Sequence, residues 1–275
     1  MNKIYLLLGF YYLVNTTCFS QQELLNKFRL EIEVGSSIPI GAFSNSSVEP
    51  SLDQNFNQEN PYREFRGFVK KEGGQAQTGA SLGITLAYTI SPSFYFSLNY
   101  SRFTNPVDVS PQEDYFVANL QDRADSFGNE FQILGSLESE NYQANGWYGG
   151  FGYRKVIGAW SFFGEAYVGV NHMVFPFYTW TFDSPGPITI LRPASFAERS
   201  VPDKLPALLY GLGVGIEKSI SNRIGINLKF KYLTSDHSHE YWTVPLVGSR
   251  NFEIKDEINF TVFTASGGIS YKLTK

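Results

Sequence analysis

The feature that most constrains the fold of this chain is a two-residue alternation of apolar with polar or small side chains, which recurs in eight segments. In the clearest segment, Leu208, Leu212 and Ile216 share one side, and Gly211 and Gly213 share the other. A period of two is typical of a β-strand whose two faces meet different surroundings, whereas a helix repeats every 3.6 residues. The chain is therefore predicted to be all-β.

The length of the alternating segments favours strands that cross a membrane. Most of them run for ten residues or more, whereas strands of soluble proteins are typically ~5–6 residues long. A strand tilted by ~45° needs ~9–11 residues to cross a bilayer. The approximate bounds of the segments are 28–34, 77–90, 93–103, 143–156, 159–171, 207–217, 223–232 and 258–273.

Short and long connections alternate strictly along the chain. The short connections lie near residues 91–92, 157–158 and 220–222, and the long ones span 39–76, 104–142, 172–206 and 233–257. Outer-membrane barrels have short periplasmic turns and longer extracellular loops. We therefore predict an eight-stranded antiparallel up-and-down transmembrane β-barrel with long extracellular loops. The last segment must pair with the first, because hydrocarbon offers no water to an open strand edge.

The polar side of the alternation predicts what fills the barrel. An eight-stranded barrel has an interior only just wide enough for side chains, and inward glycines leave room for long charged residues. We predict a structural ion-pair network that plugs the lumen, formed by Arg29, Glu31, Glu33, Arg154, Glu165, Glu217, Lys229 and Lys231. A narrow channel lined by the same charges is the first alternative. A soluble barrel with its apolar side turned inward is the second.

The first twenty residues have the pattern of an export signal. Lys3 precedes eleven largely apolar residues, 4–14, and Ser20 supplies a small residue at the expected cleavage site. The apolar run is too short to span ~30 Å of hydrocarbon as a helix. We predict a signal peptide at 1–20 and an outer-membrane barrel domain at 21–275. Lipidation at Cys18 is the alternative.

The long loops hold the residues with which the protein is expected to meet an extracellular partner. Residues 110–113 form a capping box with proline at the first helical position, which predicts a short helix over 114–125. The 172–206 loop is predicted to form a hairpin above the membrane, with two further membrane strands as the alternative. The 39–76 loop is polar and is expected to be mobile. Candidate interaction residues are Tyr178, Trp180, His237 and His239, with aromatic packing inside the loop as the alternative explanation of the two aromatic ones.

Residues with metal-binding or catalytic chemistry are few. His172, His237 and His239 lie toward the outer end, and Asp236 and Glu240 flank the histidine pair, but this spacing is not specific for a metal. No metal site and no cofactor is predicted.

An outer-leaflet lipid-modifying enzyme would need a serine, a histidine and an acid in contact. His237, Ser238 and Glu240 supply these residue types, yet adjacent residues of a strand point to opposite faces. No catalytic residue is therefore predicted, and the enzyme stays an alternative to a structural or surface-interaction role. A net charge of -4 without a long basic run argues against nucleic-acid binding.

Two stretches of the sequence resemble the small outer-membrane β-barrels of Gram-negative bacteria, the OmpA/OmpX-like group. They are EIEVGSSIPIG at 31–41 and GGISYKL at 267–273, and the resemblance covers about Phe28–Leu273. It implies location in the outer membrane, contact with outer-membrane lipid, and insertion by the barrel-assembly machinery, which reads the last strand. The usual terminal aromatic residue is replaced by Thr274 and Lys275. The group has no shared activity, and we expect a monomer.

Overall fold

The computed structural model describes residues 27–48, 50–52, 65–68, 71, 73–126, 128, 134–176, 178–183, 205–243 and 252–273, and all structural statements concern these residues. The predicted signal peptide at 1–20, including Cys18, lies outside them and stays a prediction. In chain order the strands are β1 (Phe28–Pro39), β2 (Pro50–Leu52), β3 (Phe65–Phe68), β4 (Gly79–Thr89), β5 (Phe94–Asn105), β6 (Leu134–Ser139), β7 (Tyr142–Ile157), β8 (Trp160–Val174), β9 (Tyr178–Asp183), β10 (Leu205–Ser219), β11 (Ile224–Thr243) and β12 (Phe252–Leu273). A short 3-10 helix spans Gly41–Phe43, and helix α1 spans Ser110–Ser126.

Eight of these strands close into a barrel, which confirms the predicted fold. Their order around the barrel is β1, β12, β11, β10, β8, β7, β5 and β4, and β4 returns to β1 through antiparallel pairing. The predicted seam between the first and last strands is also present, in a register that pairs Phe28 with Leu273. Closure leaves no strand edge of the barrel unpaired.

The connections divide the barrel into two ends, which we call the turn end and the loop end. Short turns join β4 to β5, β7 to β8, and β10 to β11 at the turn end. In the tightest of them Gly158 has a φ of +62°, a conformation that costs glycine nothing. The alternation of short and long connections is therefore as predicted.

The prediction of a long loop at 233–257 is wrong over most of that range. β11 continues to Thr243 and β12 begins at Phe252, and the two pair without interruption from Ile224–Tyr271 to Thr243–Phe252. In this upper part of the hairpin, β11 carries polar residues on both faces, such as the exposed Asp236 and the buried His237. Alternation then disappears from the sequence although backbone pairing persists.

Two long loops of the loop end pair with each other, which the sequence did not predict. In the described residues β9 pairs with β6 of the preceding long loop, matching Tyr178 with Ser139 and Asp183 with Leu134. The second half of the predicted hairpin, 188–191, lies outside the described residues. Since β9 is not part of the barrel sheet, it is not an additional barrel strand.

Helix α1 is present where the capping box predicts it, but the cap itself differs. The backbone N–H of Ser110 donates to Asp108 Oδ1 at 3.2 Å, and the Glu113 carboxylate accepts from the backbone N–H of Leu137 at 2.7 Å. Glu113 therefore links α1 to β6 and does not reach back to Ser110. No helix in the described part of the chain is long and apolar enough to cross a membrane.

The apolar side of the alternation faces outward, as predicted. Leu208 and Leu212 are 65% and 64% exposed, whereas Gly213, the residue after Leu212, is buried in the lumen. Charged residues of the opposite face, such as Glu31 and Lys229, are buried inside the barrel. The outside of this barrel is thus more apolar than its inside.

Candidate functional site: the lumen and its outer mouth

The centre of the lumen holds carboxylates of β1 against lysines of β11. Lys231 Nζ lies 2.8 Å from Glu33 Oε1, and Lys229 Nζ lies 3.6 Å from the same oxygen while also pairing with Glu31. These side chains cross in front of β12, whose inward residues are small from Thr264 to Ser270. Among them, Ser266 donates to Glu33 Oε2 at 2.9 Å. The ion pairs therefore connect two strands that are not neighbours in the sheet.

Toward the turn end the ion pairs continue through two arginines. Arg29 pairs with Glu31, and its Nη1 lies 3.4 Å from Glu217 Oε2. Arg154 Nη2 lies 3.8 Å from the same oxygen of Glu217. Both guanidinium groups also lie over the ring of Tyr95, at 5.5 and 5.3 Å from its centroid, which is cation–π range.

Seven of the eight predicted network residues thus form one continuous series of ion pairs. Glu165 is held differently, because Tyr167 Oη donates to Glu165 Oε2 at 2.5 Å. The complete set of eight carries four positive and four negative formal charges, so its charges balance. Buried charges need such partners to offset the loss of hydration.

Aromatic residues fill more of the lumen than the sequence analysis anticipated. A Cβ placed on Gly213 would lie 2.6 Å from Tyr167 Oη, and one on Gly215 would lie 2.6 Å from Phe163 Cε2. The expectation that these glycines make room for charged side chains is therefore wrong at these two positions. Gly83 does so, since its Cβ would lie 2.9 Å from Glu33 Cγ. The available signal was the presence of aromatic residues on the inward side of several segments.

The outer half of the lumen is closed by an apolar cluster centred on Phe43. Its ring is fully buried and lies 5.1 Å from the rings of both Tyr142 and Phe260, measured between centroids. Leu209 and Leu233 of the barrel wall belong to the same buried cluster. The sequence analysis missed this cluster, because Phe43 lies in a polar loop.

Backbone hydrogen bonds hold Phe43 in the mouth. We call residues 40–45 together with 73–76 the plug. The N–H of Ile40 donates to Thr261 O at 3.0 Å, and the N–H of Ala76 donates to Phe43 O at 2.9 Å. Tyr142 Oη donates to Gly74 O at 2.8 Å. The two ends of the 39–76 loop are therefore packed into the barrel, against the expectation of a mobile loop.

The structure places His237 in the lumen and His239 further toward the tip of the β11–β12 hairpin. His237 is buried in the lumen, where its Nε2 lies 3.0 Å from Ser235 Oγ and 3.3 Å from Asn171 Nδ2. Ser238 points to the opposite, exposed side of β11. His239 lies opposite Asp256 in the β11–β12 hairpin, and its side chain is outside the described part of the structure, as is that of Glu240.

Tyr178 and Trp180 occupy β9, opposite Ser139 and Leu137 of β6. The four candidate interaction residues thus belong to two separate places, the β6–β9 sheet and the upper part of β11. Within the described residues, no group of three or more histidine, cysteine or acidic side chains is arranged to hold a metal.

The strand pairing defines a closed antiparallel β-barrel with an apolar exterior, a charge-balanced set of ion pairs in its interior and an apolar cluster in its outer mouth. Among solved structures it is similar to the outer membrane protein OprG from Pseudomonas aeruginosa, at 12% identity over 90% of this chain and 97% of that one, with a TM-score of 0.45. Neisserial surface protein A is 10% identical over 90% and 96% of the two chains, with a TM-score of 0.40. The outer membrane protease OmpT from Escherichia coli is 6% identical over 93% and 99%, with a TM-score of 0.38.

No protein-family model and no curated protein matches the chain. OprG and OmpT are outer-membrane proteins by name. These identities and TM-scores are too low to support an argument. The assignment of the fold therefore rests on the pairing of the eight strands in this structure. A barrel fold by itself assigns no activity.

Proposed function

We propose that the protein spans the outer membrane as a monomeric closed barrel with a structural or surface-interaction role, and that it is not an enzyme. The observation that carries the proposal is the exterior of the barrel, where apolar side chains are exposed although the lumen holds the charges. Leu208, Leu212 and Val214 are each at least 60% exposed on β10. Water is a poor solvent for such a continuous surface, and lipid is a good one.

The height of the apolar exterior matches a bilayer. On β10 the outward residues are apolar from Leu208 to Ile216, and they are bounded by Pro206 and Lys218. At a rise of ~3.4 Å per residue and a tilt of ~40°, Leu208 and Ile216 are roughly 20 Å apart along the membrane normal. Pro206 and Lys218 are roughly 30 Å apart in the same direction. An apolar band of ~25 Å is typical of transmembrane barrels.

A closed lumen is proposed because two different layers fill it. Ion pairs among Glu31, Glu33, Lys229 and Lys231 occupy the centre, and the plug with Phe43 occupies the outer mouth. An ion crossing the barrel would have to displace both layers. This arrangement supports a plugged barrel over a narrow channel.

Planar-bilayer conductance tests the closed lumen. We expect no steady ion steps from the purified wild-type protein, and none from Phe43→Ala, since the ion-pair layer remains below the truncated plug. Phe263→Ala, on the lipid-facing side of β12, is the matched control for loss of a phenyl ring. Steady steps from the wild-type protein would show that the lumen conducts.

The contacts of His237 support a non-enzymatic role. Ser235 is the serine that contacts the ring, and it shares the Nε2 atom of His237 with the amide of Asn171. Both Ser235 and Asn171 are fully buried. Lipid mass spectrometry after incubation with outer-membrane lipids is expected to show no product. A product made by the wild-type protein but not by His237→Ala would contradict this proposal.

A further inference from the structure

We propose that the turn end binds the phosphate headgroups of anionic phospholipids in the membrane leaflet that it meets. The site is centred on Lys155 and Lys218, which flank Trp160 on the outside of the barrel. This inference rests on the proposed membrane-spanning role and adds to it a lipid class and a binding surface.

Exposed positive charges collect at the turn end. Lys27, Lys155, Lys218 and Arg223 are exposed and Lys272 is half-buried. Lys155 and Lys218 lie on the outward face, opposite Phe162 and Trp160 of β8, whereas Lys272 lies opposite the inward-facing Arg29 at the rim of the barrel. The backbone N–H of Lys272 also donates to Arg223 O at 2.8 Å, which brings the last two cations side by side.

Among the described residues, no acidic side chain lies on the outer surface of this end. Across the described residues 27–28, 88–95, 153–162, 216–226 and 269–273, Glu217 is the one acidic residue, and it points into the lumen toward Arg29 and Arg154. The loop end differs, with exposed carboxylates at Asp114, Asp122, Asp125, Glu138, Glu140 and Asp236. The barrel is therefore polarised, and its turn end attracts anions.

The centre of the site combines charge with an interfacial aromatic ring. Lys218 Nζ lies 5.2 Å from the centroid of the Trp160 ring, which is 43% exposed. Lys155 lies on the other neighbouring strand, paired with the outward Phe162 of β8. Trp160 and Phe162 thus lie on the strand between the two lysines.

This geometry fits a lipid better than a free anion. Lysine stems lie along apolar surface while their ammonium groups reach the headgroup level, and tryptophan prefers the same level. A phosphate held between Lys155 and Lys218 would place its acyl chains along Phe162 and the apolar exterior. A soluble phosphate would gain only the charge interaction.

Native mass spectrometry of the protein released from bilayers with equal amounts of phosphatidylglycerol and phosphatidylcholine tests the site. We expect the wild-type protein to retain mainly phosphatidylglycerol. Each cation near an anionic surface contributes roughly a fivefold change in affinity, so the double variant Lys155→Gln, Lys218→Gln should lose most of this preference. Lys155→Arg with Lys218→Arg should keep it.

The matched control is Lys71→Gln with Arg102→Gln, which removes the same charge from exposed positions of the loop end. We expect this control to retain the wild-type lipid ratio. Equal retention of both lipids by the wild-type protein, or an unchanged ratio in the Lys155 and Lys218 double variant, would overturn the proposal. So would soluble glycerol phosphate binding as tightly as the lipid with the same dependence on the two lysines.

Insertion is scored separately by resistance of the folded barrel to sodium dodecyl sulfate at room temperature. A protein that inserts but shows no lipid preference refutes only the headgroup site. A protein that fails to insert into any bilayer refutes the proposed membrane-spanning role.

Discussion

Replacing Lys231 with methionine tests whether the lumen network stabilises the barrel. The substitution keeps most of the side-chain volume but removes the ammonium group that lies 2.8 Å from Glu33 Oε1. Removing one partner of a buried ion pair typically costs ~3–5 kcal/mol, because the other charge stays buried. Glu33 keeps Lys229 at 3.6 Å and hydrogen bonds from Ser266 and Thr85. We therefore expect a loss near the lower limit, about 3 kcal/mol.

The measurement is a double-mutant cycle in urea, followed by tryptophan fluorescence of the protein in neutral detergent. The cycle uses Lys231→Met, Glu33→Gln and the double variant. Because the double variant removes both charges together, it should cost less than the sum of the single variants, with a coupling energy of about 2 kcal/mol. Lys155→Met, at an exposed position, is the matched control and should change the free energy of unfolding by less than ~0.5 kcal/mol. Strict additivity, or a Lys231→Met variant as stable as the control, would refute the reasoning.

Three further substitutions test the two faces and the plug. Leu212→Arg, in the middle of the lipid-facing surface, should destabilise the barrel by ~2–4 kcal/mol in bilayers, whereas Leu212→Ile should be nearly neutral; equal stability of Leu212→Arg and the parent would reverse the assigned faces. Gly213→Leu should cost ~1–3 kcal/mol by overfilling the lumen at Tyr167, and pairing it with Tyr167→Ala should recover part of that loss; no recovery would locate the strain elsewhere. Phe43→Ala should cost ~3–5 kcal/mol by opening a cavity in the mouth, measured by the same urea titration, and a change below 1 kcal/mol would show that the plug is not part of the cooperative core.

The interior of this barrel differs from a uniform ion-pair plug in a way that bears on its role. The charged layer lies in the centre and toward the turn end, while Phe43 and its neighbours close the loop end. Above the mouth, Glu113 joins α1 to β6, and β6 pairs with β9. The surface of the loop end is therefore built from two long loops that contact each other.

The strands, their faces and their alternating connections could all be predicted from the order of the residues. Leu208, Leu212 and Ile216 differ from Gly211 and Gly213 because one side of the strand meets lipid and the other meets a crowded lumen, and this difference is recorded residue by residue. The prediction failed for the upper part of β11, where Asp236 and His237 are both polar although one is exposed and the other buried. Where lipid no longer surrounds the strand, the polarity of a residue no longer predicts whether its side chain faces the lumen or the outside.

Which inward residues contact each other depends on how the barrel closes and could not be predicted from the sequence. Lys231 reaches Glu33 across β12, and Tyr167 rather than a charged residue occupies the space beside Gly213. These contacts depend on the stagger between strands, which brings residues far apart in sequence to one height in the bore. The position of Phe43 in the mouth has a similar cause, because the space that it fills is lined by Tyr142, Leu209 and Phe260 from three different strands. A local sequence pattern reflects the surroundings of one strand. The residue that an inward side chain contacts across the barrel is determined by the geometry of the closed sheet.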